Sequence, residues 1–186
     1  MINFGKNMSF FSEISFTWHN GWLFSLLYFV LSTALLLLFP KYTIPRFTKV
    51  PDVKYVTQIN YILYYAILIF LIFLPFDIGS LYFIVGASIF TIGIILYAVS
   101  LLFFAISEIQ IPVTQGIYKF SRHPVYLSFF ILMIGAGIAT QSIIVILLNI
   151  AHFINAIFLM KEEEKSCIII YGNDYKKYQE KVRMII

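Results

Sequence analysis

Five long apolar stretches decide what this chain can fold into, because each approaches the length of a helix that crosses a bilayer. A hydrocarbon core of about 30 Å takes about 20 helical residues. Gly21 to Phe39 ends at Pro40, Ile59 to Leu74 ends at Pro75, and Ile78 to Ile106 is longer. Val125 to Ala139 and Ile143 to Met160 are separated only by Thr140, Gln141 and Ser142, which predicts a tight helical hairpin. A water-soluble bundle would need polar stripes at helical spacing, and these stretches are apolar all round. At 186 residues, 61% hydrophobic and 12% charged, the chain has too much apolar surface for one water-soluble core. The expected fold is all-α: a polytopic membrane helical bundle of five transmembrane helices, one domain over residues 1–186, with no internal repeat or low-complexity linker.

Basic residues near span ends mark the cytoplasmic side. Lys41, Arg46, Lys49 and Lys54 fall in the first loop, and Lys119 and Arg122 in the third. Lys161, Lys165, Lys176, Lys177, Lys181 and Arg183 fall in the C-terminal tail, and only Lys6 falls on the other side. This predicts a multi-pass protein with its N-terminus outside and its C-terminus in the cytoplasm. The net charge of +4 then belongs to a membrane surface and calls for no nucleic acid. The first stretch lacks a basic n-region and a small-residue cleavage site, so it reads as a retained helix. Cys167 is the single cysteine, and no Cys/His cluster offers a metal site.

Polar residues inside spans are costly and face a bundle interior, a cavity or one another. Asn149, His152 and Asn155 share one face of the fifth span, with Glu163 on the same face if the helix continues. Interhelical hydrogen bonding explains such a face, and so does a cavity wall with His152 near a substrate.

Past Met160 the sequence reads KEEEKSCIIIYGNDYKKYQEKV. Three glutamates at the C-terminus of a helix would oppose its dipole, so their placement there invites a functional account. Gly172 is expected to break the helix and Asn173 to cap a new one. In that new helix Tyr175, Tyr178 and Val182 share a face opposite the lysines, the pattern of a C-terminal interfacial helix with its rings at headgroup depth.

The hairpin would bring Glu162 to Glu164 against FSRHPVYLS, residues 120–128. Pro124 suits the first turn of a helix, which sets Arg122 and His123 just outside its N-terminus. Free N–H groups there, with those two side chains, could hold a carboxylate, and the glutamates opposite could hold an ammonium or ribose hydroxyls. Lipid-facing, capping and solvated roles explain the same residues.

GIYKFSRHPVY followed by EE and YGNDYKKYQEKV resembles the signature of the isoprenylcysteine carboxyl methyltransferase and phospholipid N-methyltransferase superfamily, over Val113 to Val182. That resemblance implies S-adenosyl-L-methionine as cofactor, held by the part of the chain at 110–182, and a lipid or lipidated substrate arriving through the bilayer. It also implies a cofactor pocket formed by Val113, Tyr118, Arg122, His123, Pro124, Val125, Tyr126, Glu163 and Glu164, with Glu162 an extra and Arg122 orienting the loop or an acidic group. His152 and Glu164 are the candidates for a catalytic proton acceptor.

The departures bear on substrate. Carboxyl methyltransferases of this kind carry a histidine where Gln110 stands and an arginine where Leu159 stands. Loss of that arginine removes a cation for a prenylcysteine carboxylate and leaves an amine acceptor in view. Two other classes remain: an NADPH-dependent reductase of the sterol or enoyl type, whose related motif has asparagine where Val125 stands, and a non-enzymatic transporter or scaffold.

Overall fold

The computed structural model describes residues 14–15, 17–38 and 53–186. Lys6, Phe39, Pro40, Lys41, Arg46 and Lys49 lie outside the described residues. The elements are α1 (Trp22–Leu38), α2 (Lys54–Ile72), α3 (Leu81–Ile106), a 3₁₀ turn (Gly116–Lys119), α4 (Pro124–Ala139), α5 (Ile143–Tyr171) and α6 (Asn173–Lys181). No strand forms among the described residues, and one isolated antiparallel bridge joins Asn20 to Pro75.

Each of the five expected spans coincides with one apolar helix. Three of them, α2, α3 and α5, are long and apolar enough to cross a membrane, while α1 and α4 are shorter apolar helices. Their outward faces carry Phe29, Ile62, Ile92, Ile95, Ile154 and Phe158 in exposed positions. In water such a surface would drive association, whereas hydrocarbon tails cover it, and the chain is an integral membrane protein.

The bundle is organised around the α3–α4 contact. Buried residues of α3 recur at Gly86, Phe90, Gly93, Tyr97 and Ser100, alternating four and three apart. They meet Ser128, Phe129, Leu132, Gly135, Ala136 and Ala139 of α4. A Cβ on Gly93 would lie 2.6 Å from Leu132 Cα, and one on Gly135 would lie 2.3 Å from the Phe90 nitrogen. The two backbones therefore touch, as small residues allow between membrane helices. Because lipid tails are as apolar as the core, this close packing supplies the attraction that the hydrophobic effect supplies in water. It fixes where the N-terminus of α4 emerges.

Two element ends differ from the sequence expectation. α5 does not stop at Met160 but runs to Tyr171, so Glu162, Glu163 and Glu164 sit well inside a 29-residue helix. They therefore escape the unfavourable end of the dipole, which is confined to the last turn. Glu, Lys and Arg are good helix formers, and Lys165 Nζ lies 2.7 Å from Glu162 Oε1 one turn away. The second correction is at the next helix: Gly172, with φ 57, occupies the cap position of α6, and Asn173 is already helical. Gly172 takes this left-handed conformation without the Cβ penalty other residues would meet.

Candidate functional site

The hairpin sets the N-terminus of α4 against the extended end of α5, and α6 closes over both. Pro124 is the first helical residue of α4 and no side chain caps that helix, so the N–H groups of its first turn point toward the loop end. Gly116 makes the approach possible: its φ is 57, and a Cβ there would lie 2.2 Å from the Phe103 ring.

Four side chains form an ionic cluster at this junction. Arg122 Nε donates to Glu164 Oε1 at 2.6 Å. The guanidinium also donates to the carbonyls of Gln179, at 3.2 Å, and of Val182. His123 Nε2 lies 3.3 Å from Glu164 Oε1, and its Nδ1 lies 3.4 Å from Glu163 Oε2. The Tyr126 hydroxyl donates to Glu163 Oε1. Gln179 Nε2 completes the set with a 3.0 Å bond to Glu164 Oε2. Burial works against the charge of Glu164, yet hydrogen bonds from His123 and Arg122 outweigh it and pull its carboxyl down to about 2. Burial likewise opposes the charge of His123, but the two glutamates win and hold it above the ordinary histidine value.

A cavity of about 200 Å³ lies beside this cluster. Val113, Tyr118, Arg122, His123, Pro124, Val125, Tyr126 and Glu163 all line it. Glu164 is not among its lining residues; it stands behind His123, held by Arg122 and Gln179. The sequence did not point to the remaining wall: Leu101 and Phe104 from α3, Pro112 from the loop after it, Ser166, Cys167, Ile170 and Tyr171 from α5, and Tyr175 and Tyr178 from α6. Glu163, Ser166, Cys167, Ile170 and Tyr171 follow the three- and four-residue rhythm of one helix face, a signal available once α5 is continued past Met160.

Tyr175 and Tyr178 do share a face, and Lys176, Lys177 and Lys181 are exposed on the other. The rings, however, are buried against the bundle rather than turned out toward lipid, and the Tyr178 hydroxyl donates to the Tyr118 carbonyl at 2.6 Å. Further backbone anchors tie down the tail, from Arg122 N to Arg183 O at 3.1 Å and from Ser121 Oγ to Met184 O at 3.3 Å. Aromatic residues at several points around the cavity, with one carboxylate, suit a ligand carrying positive charge.

The family model for phospholipid methyltransferases matches residues 76–174, from the turn before α3 to the first turn of α6. The chain belongs to the phospholipid methyltransferase family. No curated protein and no solved structure matches it significantly. The matched segment carries the α3–α4 contact, the 3₁₀ turn, the ionic cluster and most of the cavity wall. Family membership makes this a membrane methyltransferase with a lipid substrate.

A second cavity, of about 190 Å³, has Val125 and Tyr126 in its lining, as the first does. Its other walls are Tyr28, Asn60, Tyr61, Tyr64, Tyr97, Phe129 and His152. The Tyr28 hydroxyl sits 3.2 Å from that of Tyr97 and 3.4 Å from that of Tyr64. The two asparagines flanking His152 hold helices together: Asn149 Nδ2 donates to Phe130 O at 2.9 Å, and Asn155 Nδ2 to Val56 O at 3.0 Å. Asn149 Oδ1 is buried without a hydrogen-bond partner among the described residues, and so is one atom of His152. Its ring packs on Phe129 at 5.0 Å between centroids, and its buried Nε2 has no hydrogen-bond partner among the described residues.

Proposed function

We propose that this phospholipid methyltransferase family member uses S-adenosyl-L-methionine, bound in the ionic cavity, to methylate a lipid acceptor, and that its N-terminus is outside and its C-terminus cytoplasmic. The observation that carries the reading is the cavity lining, in which Glu163 and the rings of Tyr118, Tyr126, Tyr175 and Tyr178 surround one volume. Those groups match a cofactor with a sulfonium, an ammonium and ribose hydroxyls, and its carboxylate suits the uncapped N-terminus of α4. When bound, the cofactor supplies a methyl group activated by positively charged sulfur.

The chain's own residues then bind, orient and exclude water. Glu163 is fixed by Tyr126 and His123, so its carboxylate is presented in one direction. Arg122 is a positioning residue: it is committed to Glu164 and to two carbonyls of the tail, and so holds α6 over the cavity. Glu164, paired on both oxygens and held ionised, serves the same frame. Placement of this kind, with removal of water, is the main requirement of a direct displacement. The orientation is supported by the lysines and arginines that the sequence gathers before Ile59, before Val125 and after Met160.

NADPH fits less well. Arg122 is the only permanent cation among the residues lining the cavity, and three acceptors already occupy it. A cofactor with several phosphates would find no lysine there.

Calorimetry on detergent-purified protein tests the reading. Binding of S-adenosylmethionine or its demethylated product at about 1–100 μM, or about −8 to −5 kcal/mol, is expected. Glu163→Ala and His123→Ala should lose it while Asn149→Ala keeps it. Tight NADPH binding, or equal affinity in all three variants, would sink the assignment.

A further inference from the structure

We propose that a proton and a cationic ligand compete for the ionic cavity: Glu163 pairs either with doubly protonated His123 or with the ligand's ammonium or sulfonium, so ligand binding releases one proton from His123 to solvent. This rests on the ionic cavity being the methyl donor's site.

His123 stands between two carboxylates, with Nδ1 3.4 Å from Glu163 Oε2 and Nε2 3.3 Å from Glu164 Oε1. A neutral imidazole has one N–H, so it donates to one of these oxygens and turns a lone pair on the other; only the imidazolium serves both. The two carboxylates differ in what else can reach them. Glu164 is outside the cavity lining and is held by Arg122 and Gln179 as well. Glu163 is the one carboxylate among the described lining residues, and Tyr126 occupies its other oxygen. A cation in the cavity therefore has one acidic partner, and His123 Nδ1 is already on it.

Two positive charges on one carboxylate disfavour each other, the more so because His123 is buried from solvent. The Nδ1 proton is the charge that can leave. Its departure keeps the bond to Glu164 in place, because the neutral tautomer with hydrogen on Nε2 still donates there. Arg122, beside it in the chain, is permanently charged and committed to Glu164 and two carbonyls, so it does not move in where the proton was.

The remaining titratable groups around the cavity are Tyr118 of the 3₁₀ turn, Tyr126 of α4, Cys167 and Tyr171 of α5, and Tyr175 and Tyr178 of α6, with none from α3. Free thiols and phenols ionise at about pH 8.5 and about pH 10, and burial moves Tyr175 and Tyr178 higher still. Burial opposes the charge on His123, yet Glu163 and Glu164 hold it above the ordinary value of 6.5. Ligand affinity should thus be level above that raised value and fall about tenfold per unit as pH drops below it.

Calorimetry on detergent-purified protein, run with S-adenosylmethionine in phosphate and in bis-Tris, counts the protons released from the difference between the heats in the two buffers. About one proton per ligand is expected at about pH 6, with affinity there about tenfold weaker than at about pH 7.5. His123→Gln keeps a neutral amide near Glu164 and should show neither the proton nor the pH dependence. Ring-labelled histidine NMR on the unaltered protein gives a second reading that does not depend on how that variant folds. One of the three histidines should titrate at lower pH with the ligand than without it. Binding with no proton released, the same pH dependence in His123→Gln, or histidine titrations indifferent to the ligand would overturn the proposal. No binding by the unaltered protein at any pH would instead overturn the assignment of the cavity to the donor.

Discussion

The two cavities are nearly equal in volume and share two lining residues, yet one is bordered by Arg122, His123 and Glu163, with Glu164 behind them, and the other by no permanent charge. Depth accounts for the difference. At the end of the bundle, a charge can be set against partners on the loop, on α5 and on the tail, so its desolvation is offset by hydrogen bonds. Within the span there are too few such partners, and the polar work falls to tyrosine hydroxyls, amides and an imidazole. Ionic groups therefore arrange the first cavity and close packing arranges the second.

Breaking the ionic frame should have the largest effect. Arg122→Leu leaves Glu164 buried with its strongest partner gone and releases two carbonyls of the tail, for an expected loss of about 3–5 kcal/mol of stability in a thermal or denaturant melt. A milder result, near that of a surface pair, would mean the cluster is solvated. Gly93→Leu attacks the other side of the comparison by forcing α3 and α4 apart at Leu132. Overpacking there should cost about 1–3 kcal/mol, read as a lower melting temperature in detergent. Glu163→Gln keeps shape and removes charge, and should weaken cofactor binding about tenfold, or about 1.4 kcal/mol.

The smallest effect is a pH dependence confined to the ionic cavity. His123 is raised above its ordinary value of 6.5 by the two glutamates. Its stabilisation is therefore fully present below about pH 6.5 and fades as pH rises through the raised value. The stability gap between the unaltered protein and His123→Gln should narrow over that window, and a gap that widens would contradict the charged arrangement. Glu164 acts in the opposite sense, its contribution failing only as pH falls from 4.5 toward about 2.

Much of this was readable in the letters. Apolar length gave the five helices, the three-residue link gave the hairpin, and the RHP and EE segments met where the hairpin required. What escaped had physical reasons. Hydropathy falls at Lys161, which hid the continuation of α5, although the helix propensity of KEEEK favours it. The ring face of α6 was found by its period, but periodicity does not say whether a face meets lipid or protein, and Tyr175 and Tyr178 meet protein. Tyr28, Tyr64 and Tyr97 come from three different helices, so no local spacing announces their cluster.

The tail is fastened at Gln179, Val182, Arg183 and Met184 through their carbonyl oxygens, which every residue possesses. The side chains of Val182, Arg183 and Met184 can drift in identity without loosening these bonds, whereas Gln179 also holds Glu164 through its amide. What evolution must conserve there is a distance along the chain from the bend at Gly172, so insertions and deletions should be purged from this tail more strictly than replacements.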